Sequence, residues 1–228
     1  MMKTCAIIAA GGSGKRFNSG IPKQFTCLLD RPIISYSIEA FRASGEIDCI
    51  IAAVPQDYLS SPIIEGLGLD IIVCGGQTRA QSVLNALEEV DKSFEFVIVH
   101  DAARPLVTTR EIKNVISDAK KYGAACLVAP ITDTVKEVSD DGFIVQSPDR
   151  ARLKRALTPQ AFRREILLEA LSVAGTSESV TDESSALEII GRKVKAVEGS
   201  SLNIKITTHE DFLLAEWILK TKAAGYSG

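Results

Sequence analysis

The chain is poor in histidine, with only two, and its five cysteines never form a C-x-x-C pair. They stand apart at positions 5, 27, 49, 74 and 126. That set offers no ligand spacing for a classical zinc site. An odd, dispersed group of thiols reads as reduced cysteine, not as a disulfide framework. An excess of one charge is also missing. Lys and Arg number 26 against 29 Asp and Glu, a net charge of −3. Neither nucleic acid nor a membrane surface is therefore an expected partner. Long hydrophobic runs are absent as well. The run after Met1-Met2-Lys3-Thr4 spans six residues, too short for a signal-peptide core, and nothing nears the ~20 residues of a membrane span. A soluble, cytoplasmic protein is expected.

What is present is apolar bulk in moderate pieces. A chain of 228 residues, 46% hydrophobic, can bury a sizeable core without disulfides or a structural metal. One α/β domain over 1–228 is expected. Unbroken apolar runs at 4–10, 49–54, 71–73, 96–99 and 124–129 read as strands buried on both faces. Helical patterns alternate with them at 33–44, 57–66, 78–91 and 109–121, which predicts a mostly parallel, doubly wound sheet with helices on both faces. Ligands of such sheets sit beyond the carboxyl ends of the strands. The rhythm breaks after residue 130. Two alternating stretches, 134–138 and 143–146, flank Asp140-Asp141-Gly142 and predict a β-hairpin. The basic stretch 149–155 follows it. Together they form an inserted arm at about 132–152, either reaching a second subunit or lying as a surface flap. Beyond it a helix at 159–172, a loop at 175–182, a helix at 183–190, a strand at 193–198 and a final helix at 208–222 are expected.

Three segments with chemical potential fall at predicted strand ends. In the first, Cys5–Ala10 empties into Gly11-Gly12-Ser13-Gly14-Lys15-Arg16, and Lys23 follows in Pro22-Lys23-Gln24-Phe25. Consecutive N–H groups in a glycine turn make an anion-binding concavity, and two cations add fixed positive charge. The pattern suits a nucleotide triphosphate. It is not a Walker A loop, because Arg16 stands where Ser or Thr is needed, and it lacks the third glycine of a dinucleotide fingerprint. A plain strand-to-helix turn is the bland alternative. In the second, Gly75-Gly76-Gln77-Thr78 opens a helix that Thr78 can cap, and two glycines allow a flat base against the backbone. In the third, His100-Asp101-Ala102-Ala103-Arg104-Pro105 places Asp101 at a crevice, where a carboxylate plus phosphate oxygens suit Mg²⁺. Arg104 there either neutralises Asp101 or binds substrate phosphate. His100 reads as a packed histidine, not a base.

These segments together resemble the 2-C-methyl-D-erythritol 4-phosphate cytidylyltransferases of the non-mevalonate isoprenoid pathway. The matching stretches are AAGGSGKRF (9–17), PKQF (22–25), GGQTRAQSVLNAL (75–87), VHDAARPLV (99–107), DTVK (133–136), ALTPQAF (156–162), VTDESSALE (180–188) and NIKIT (203–207). They run through nearly the whole chain, and VHDAARP and ALTPQ are the most specific.

The resemblance implies a three-layer, Rossmann-like nucleotidyltransferase fold and transfer of CMP from CTP to methylerythritol 4-phosphate, with Mg²⁺ and release of pyrophosphate. It implies that Arg16 and Lys23 stabilise the transition state, with Lys205 a third catalytic cation. Ala10, Gly11, Gly12, Gly14, Gly76, Gln77 and Ser82 would seat the nucleotide. Asp101, Arg104, Thr134, Arg150, Thr158 and Thr181 would surround the second substrate, with Asp101 also the metal's carboxylate. It further implies a homodimer through the arm, with Arg150 reaching the partner's site. Some relatives carry Asp at the position of Gln77, so a negative charge is missing here. A ribitol 5-phosphate cytidylyltransferase shares the fold and the first loop and is the rival reading. A non-catalytic nucleotide sensor would be expected to lack Arg16, Lys23 or Lys205, and all three are present.

Overall fold

The computed structural model describes residues 2–12, 21–175 and 180–224. Its first half comprises β1 (Lys3–Ala9), β2 (Cys27–Leu28), β3 (Arg31–Pro32), α1 (Ile33–Ser44), β4 (Cys49–Val54), α2 (Pro62–Glu65), β5 (Ile71–Cys74), α3 (Arg79–Glu88) and β6 (Phe94–Asp101). The second half adds α4 (Thr109–Tyr122), β7 (Ala124–Pro130), β8 (Glu137–Val138), β9 (Ile144–Gln146), β10 (Lys154–Arg163), α5 (Arg164–Ala174), α6 (Glu183–Ile189), β11 (Lys195–Glu198) and α7 (His209–Ala223).

Seven strands form the central sheet in the order β11-β7-β10-β6-β1-β4-β5. All neighbours are parallel except at β10, which runs antiparallel to both β6 and β7. Successive side chains of β1 serve opposite layers. Ala6 and Ile8 pack with Ile34, Ile38 and Phe41 of α1 and with Ile112 and Val115 of α4. Cys5 and Ile7 pack with Val83 and Leu87 of α3 and with Leu167 and Leu171 of α5. The unbroken apolar run at 5–10 follows from this, since a strand covered on both faces has no polar side to show.

The sequence order reverses between β1 and β6. The chain leaves β1 toward β4 and β5, then returns to pair β6 on the other side of β1. Ligands of open α/β sheets bind outside the carboxyl ends at such a reversal. Register places Ala9 directly beside Asp101, and the Ala102 N–H donates to the Ala9 carbonyl at 3.1 Å. The first glycine loop and the aspartate thus emerge together.

Two expected helices differ. Residues 57–66 hold a 3-10 turn at Gln56–Tyr58 and then the short α2, because Pro62 cannot donate into a preceding helical turn but fits the start of a new one. The expected helix at 159–172 starts only at Arg164, because 154–163 is strand. Pro159 reads locally as a helix start. It lies instead where the β10–β7 register shifts, between Ala156 and Gln160, a place where a missing N–H does not interrupt the ladder. The hairpin forms as β8 and β9, shorter than expected, closed by the Ser139 N–H donating to the Phe143 carbonyl at 2.9 Å. No helix among the described residues is long and apolar enough to cross a membrane.

Candidate active site

A cavity of about 700 Å³ opens at the reversal point. Ala10, Gly11 and Gly12 from the first loop, Lys23, Gly76 and Gln77 from the second loop, Ser82, Asp101 and Lys205 all line it. Segments spread over nearly two hundred residues of sequence therefore meet at one place. Arg104 and Thr158 lie buried just outside that lining, while Thr134, Arg150 and Thr181 are exposed and do not contribute to it. Gly14 and Arg16 lie outside the described residues.

The two glycine loops touch backbone to backbone. A Cβ on Gly11 would stand 2.7 Å from Ser82 Oγ, and one on Gly75 would stand 3.0 Å from Gly11 Cα. Glycine is required at both positions for this close approach. Ser82 fastens the contact. Its hydroxyl donates to the Thr78 carbonyl at 2.9 Å and accepts the Gly76 N–H at 3.0 Å. A serine expected to read the nucleotide is thus first a brace of the second glycine loop. The first loop has its own brace, one that sequence reasoning passed over. Gln24 is buried, and its amide donates to the carbonyls of Ala10 and Gly12 at 2.5 and 3.0 Å. Those carbonyls are thereby turned toward Gln24. The 3-10 turn Lys23–Phe25 that carries this glutamine also carries Lys23 to the cavity.

Asp101 is the electrostatic centre. Arg79 Nε donates to its Oδ1 at 2.8 Å, and Lys205 Nζ lies 2.9 Å and Arg104 Nε 3.4 Å from Oδ2. Burial works to raise the pKa of this carboxyl, but Arg79, then Lys205, then Arg104 together hold it well below the usual carboxylate range. The surrounding cations thus favour its ionised form. Arg104 is fixed in turn, its Nη1 donating to the Asn203 carbonyl at 2.8 Å, while Asn203 Nδ2 donates to the Thr158 carbonyl at 2.9 Å. Of the two roles open to Arg104, ion pairing with Asp101 is the one seen.

His100 sits beneath this cluster with no exposure. Its Nε2 faces the Arg104 carbonyl at 3.2 Å, so that nitrogen must carry the proton, and Nδ1 then accepts from Thr158 Oγ1 at 3.0 Å. The same hydroxyl accepts the Asp101 N–H at 3.1 Å. Burial lowers the His100 pKa from its ordinary 6.5 to about 4. In that window the unfolded chain binds a proton that the folded chain refuses. Stability from this group is full above pH 6.5 and is lost as pH falls toward 4, by about 1.4 kcal/mol per pH unit. Calorimetry of His100→Gln between pH 7 and 4.5 is expected to show a shallower pH dependence than the parent chain. Parallel curves would mean that His100 is not the neutral group described.

For a divalent cation the donor set is sparse. Among the described residues no three His, Cys, Asp or Glu side chains gather to hold one. Asp101 is ionised and faces the cavity, although both its oxygens already meet cations. These residues fit an ion that takes most of its ligands from nucleotide phosphates and one carboxylate from the protein, as magnesium commonly does.

Sequence reasoning also missed Arg79 and Glu183. Both stand inside motifs that were noticed, but their pairing spans 104 positions and is made only by the fold.

The site can be set beside known proteins. The family model for 2-C-methyl-D-erythritol 4-phosphate cytidylyltransferase matches residues 4–221. An Endomicrobium trichonymphae protein of that name is 43% identical, over 96% of this chain and 100% of its own length. One from Clostridium botulinum (strain Loch Maree / Type A3) is 41% identical, over 96% and 99%. Among solved structures, the 4-diphosphocytidyl-2C-methyl-D-erythritol synthase of Anaerococcus prevotii superposes with a TM-score of 0.84 at 31% identity, covering 96% of this chain and 99% of that one. The Francisella tularensis 2-C-methyl-D-erythritol 4-phosphate cytidylyltransferase gives 0.79 at 32%, covering 94% and 99%. With the fold, the motif order and these likenesses in agreement, the chain belongs to the 2-C-methyl-D-erythritol 4-phosphate cytidylyltransferase family.

Proposed function

We propose that this enzyme transfers the cytidylyl group of CTP to 2-C-methyl-D-erythritol 4-phosphate through the cavity at the β1–β6 reversal, with Lys23, Lys205 and Arg16 as its catalytic cations. The observation that carries this reading is the convergence of Lys23, Lys205 and the two glycine loops on a single cavity. The acceptor phosphate attacks the CTP α-phosphorus in line, the bond to the bridging oxygen breaks, and pyrophosphate leaves. The nucleophile is already an anion at neutral pH, so no strong general base is needed, and the neutral, sealed His100 has no part in proton transfer. The work left to the protein is to bring like charges together and to stabilise the negative charge on the five-coordinate phosphorus. Ala10, Gly11, Gly12, Gly14, Gly76 and Gln77 form the nucleotide seat. A glutamine at 77 offers a ribose hydroxyl a hydrogen bond without a charge. Asp101 and Arg104 face the acceptor, with Thr158 behind them. Asp101 and the nucleotide phosphates would hold a magnesium ion, which would supply charge neutralisation.

The arm is proposed to pair two copies of the chain. Its tip is apolar and uncovered, with Phe143 71% exposed and Val138, Ile144 and Val145 also exposed. Arg150 Nη1 donates to the Thr132 carbonyl at 2.6 Å, tying the arm's exit to its entry. Pairing of two chains would bring Thr134 and Arg150 to a cavity that neither reaches within one chain. The cytoplasm, where CTP is made, is the proposed setting.

A pyrophosphate-release assay with CTP tests the acceptor, offering methylerythritol 4-phosphate against ribitol 5-phosphate. Turnover with the first and little with the second is expected. Activity confined to ribitol 5-phosphate would overturn the reading. The same assay on Arg150→Ala is expected to show a raised KM for the acceptor with an unchanged KM for CTP. Unchanged acceptor kinetics would remove Arg150 from the site.

A further inference from the structure

Arg79 is the first residue of α3, and no acid shares that first turn. A cation there opposes the helix dipole, whose positive end favours an acid by about 0.3–1 kcal/mol. Local preference argues against this arginine, so its reason must be tertiary. It has two carboxylate partners. Nε donates to Asp101 Oδ1 at 2.8 Å, while Nη1 and Nη2 donate to the two oxygens of Glu183 at 2.7 and 3.0 Å. The planar guanidinium engages one carboxylate along one edge and one along another, which an ammonium group cannot imitate.

Glu183 is itself held firmly. Its side chain is 1% exposed, and it opens α6 directly after the Asp182 cap. Asp182 Oδ1 accepts the Ser185 N–H at 2.8 Å. Gln160 of β10 donates to Asp182 Oδ2 at 2.9 Å and accepts the Ser184 N–H at 3.0 Å. A continuous line of contacts therefore runs from β10 through α6, Glu183 and Arg79 to Asp101, and ends on Lys205 Nζ at 2.9 Å. Of the three cations grouped on Asp101, Glu183 balances one and Asp101 another. One positive charge is left over for the anionic substrates.

We propose that Arg79 and Glu183 are positioning residues for cytidylyl transfer, with Glu183 anchoring the Arg79 fork and the fork orienting Asp101 so that its second oxygen holds Lys205 toward the reacting phosphates. The proposal rests on the cytidylyl-transfer reading above. Arg79 also lines the cavity. Without Glu183 its charge is unbalanced, and the guanidinium can swing to a substrate phosphate in the place meant for Lys205. Binding of CTP then survives while its productive placement fails.

The test is steady-state pyrophosphate release by Glu183→Gln and Arg79→Lys, with CTP varied and the acceptor saturating. The folded fraction of each variant is measured by thermal melting. Misplacement of a reacting group costs on the order of 10- to 100-fold in rate, so kcat per folded enzyme is expected to fall by about that factor in both variants. The KM for CTP is expected to stay within about threefold of the parent value, the signature of a lost transition-state contact. Should Glu183→Gln fail to fold, Arg79→Lys decides alone, because it keeps the charge that balances Glu183. Unchanged kcat per folded enzyme, with any loss traced to the folded fraction, would leave the pair a purely structural strut and overturn the proposal. So would a raised CTP KM at undiminished kcat. The parent chain's own acceptor preference is measured first, and the variants are assayed with whichever acceptor it uses, so an error in the acceptor is seen separately.

Discussion

Lys23→Ala is expected to lower kcat by about 100- to 1000-fold, the range seen when one preorganised donor to a developing negative charge is removed. The KM for CTP should change far less. The α-phosphorus gains a fifth oxygen and more concentrated negative charge as the reaction proceeds, so a cation aimed there contributes more to the transition state than to the bound nucleotide. Lys23 is set in a 3-10 turn whose next residue, Gln24, is buried and bonded to the first glycine loop. The lysine is thus anchored, through its neighbour, to the first glycine loop. Pyrophosphate release at saturating CTP, beside CTP affinity from calorimetry, separates the two contributions. A loss of affinity with turnover preserved at saturation would remove Lys23 from the chemistry.

Asp101→Asn should damage the fold as well as the reaction. The carboxylate is the common partner of Arg79, Arg104 and Lys205, and after the exchange Glu183 alone opposes three cations. Removing one partner from a buried ionic cluster costs about 3–5 kcal/mol, because the remaining charges are left uncompensated. For a chain of this size each kcal/mol corresponds to about 2–4 °C, so a fall in melting temperature of roughly 10 °C is expected. The amide oxygen can still accept a hydrogen bond from one of these cations, which sets the asparagine variant above an alanine variant in stability. Thermal denaturation at pH 7 checks the figure. A melting temperature equal to that of the parent chain would mean that the cluster is solvated and weakly coupled.

Much of the architecture was legible because it is local in origin. A strand buried on both faces shows as an unbroken apolar run, as at 5–10 and 124–129, and the glycines at 11, 75 and 76 mark where strands open into loops. The order of strands and helices followed from that alternation. The part that was misread, 159–163, fails for an equally local reason. Pro159 is a common helix opener, and only the neighbours β6 and β7 make an antiparallel strand the better solution there. Among the cavity residues, those legible in advance are ones whose type announces a chemistry, such as Lys23 and Asp101, while Lys205 was marked only by the family resemblance. Gln24, Arg79 and Glu183 escaped notice because an amide bonded to two carbonyls, or an arginine between two carboxylates, looks in sequence like any polar surface residue. Their importance lies in burial and in partners far along the chain.

The sequence by itself determined the layered α/β class and the motif order that marks a cytidylyltransferase. Those properties depend on residue type and short-range spacing, which a linear text preserves. Only the tertiary structure decided that Asp101 is a shared anion for three cations, that Ser82 and Gln24 brace the two loops, and that α6 reaches Asp101 through Glu183 and Arg79. Electrostatic energy depends on distance and on exclusion of water, and both are set when segments about a hundred residues apart are packed against one another.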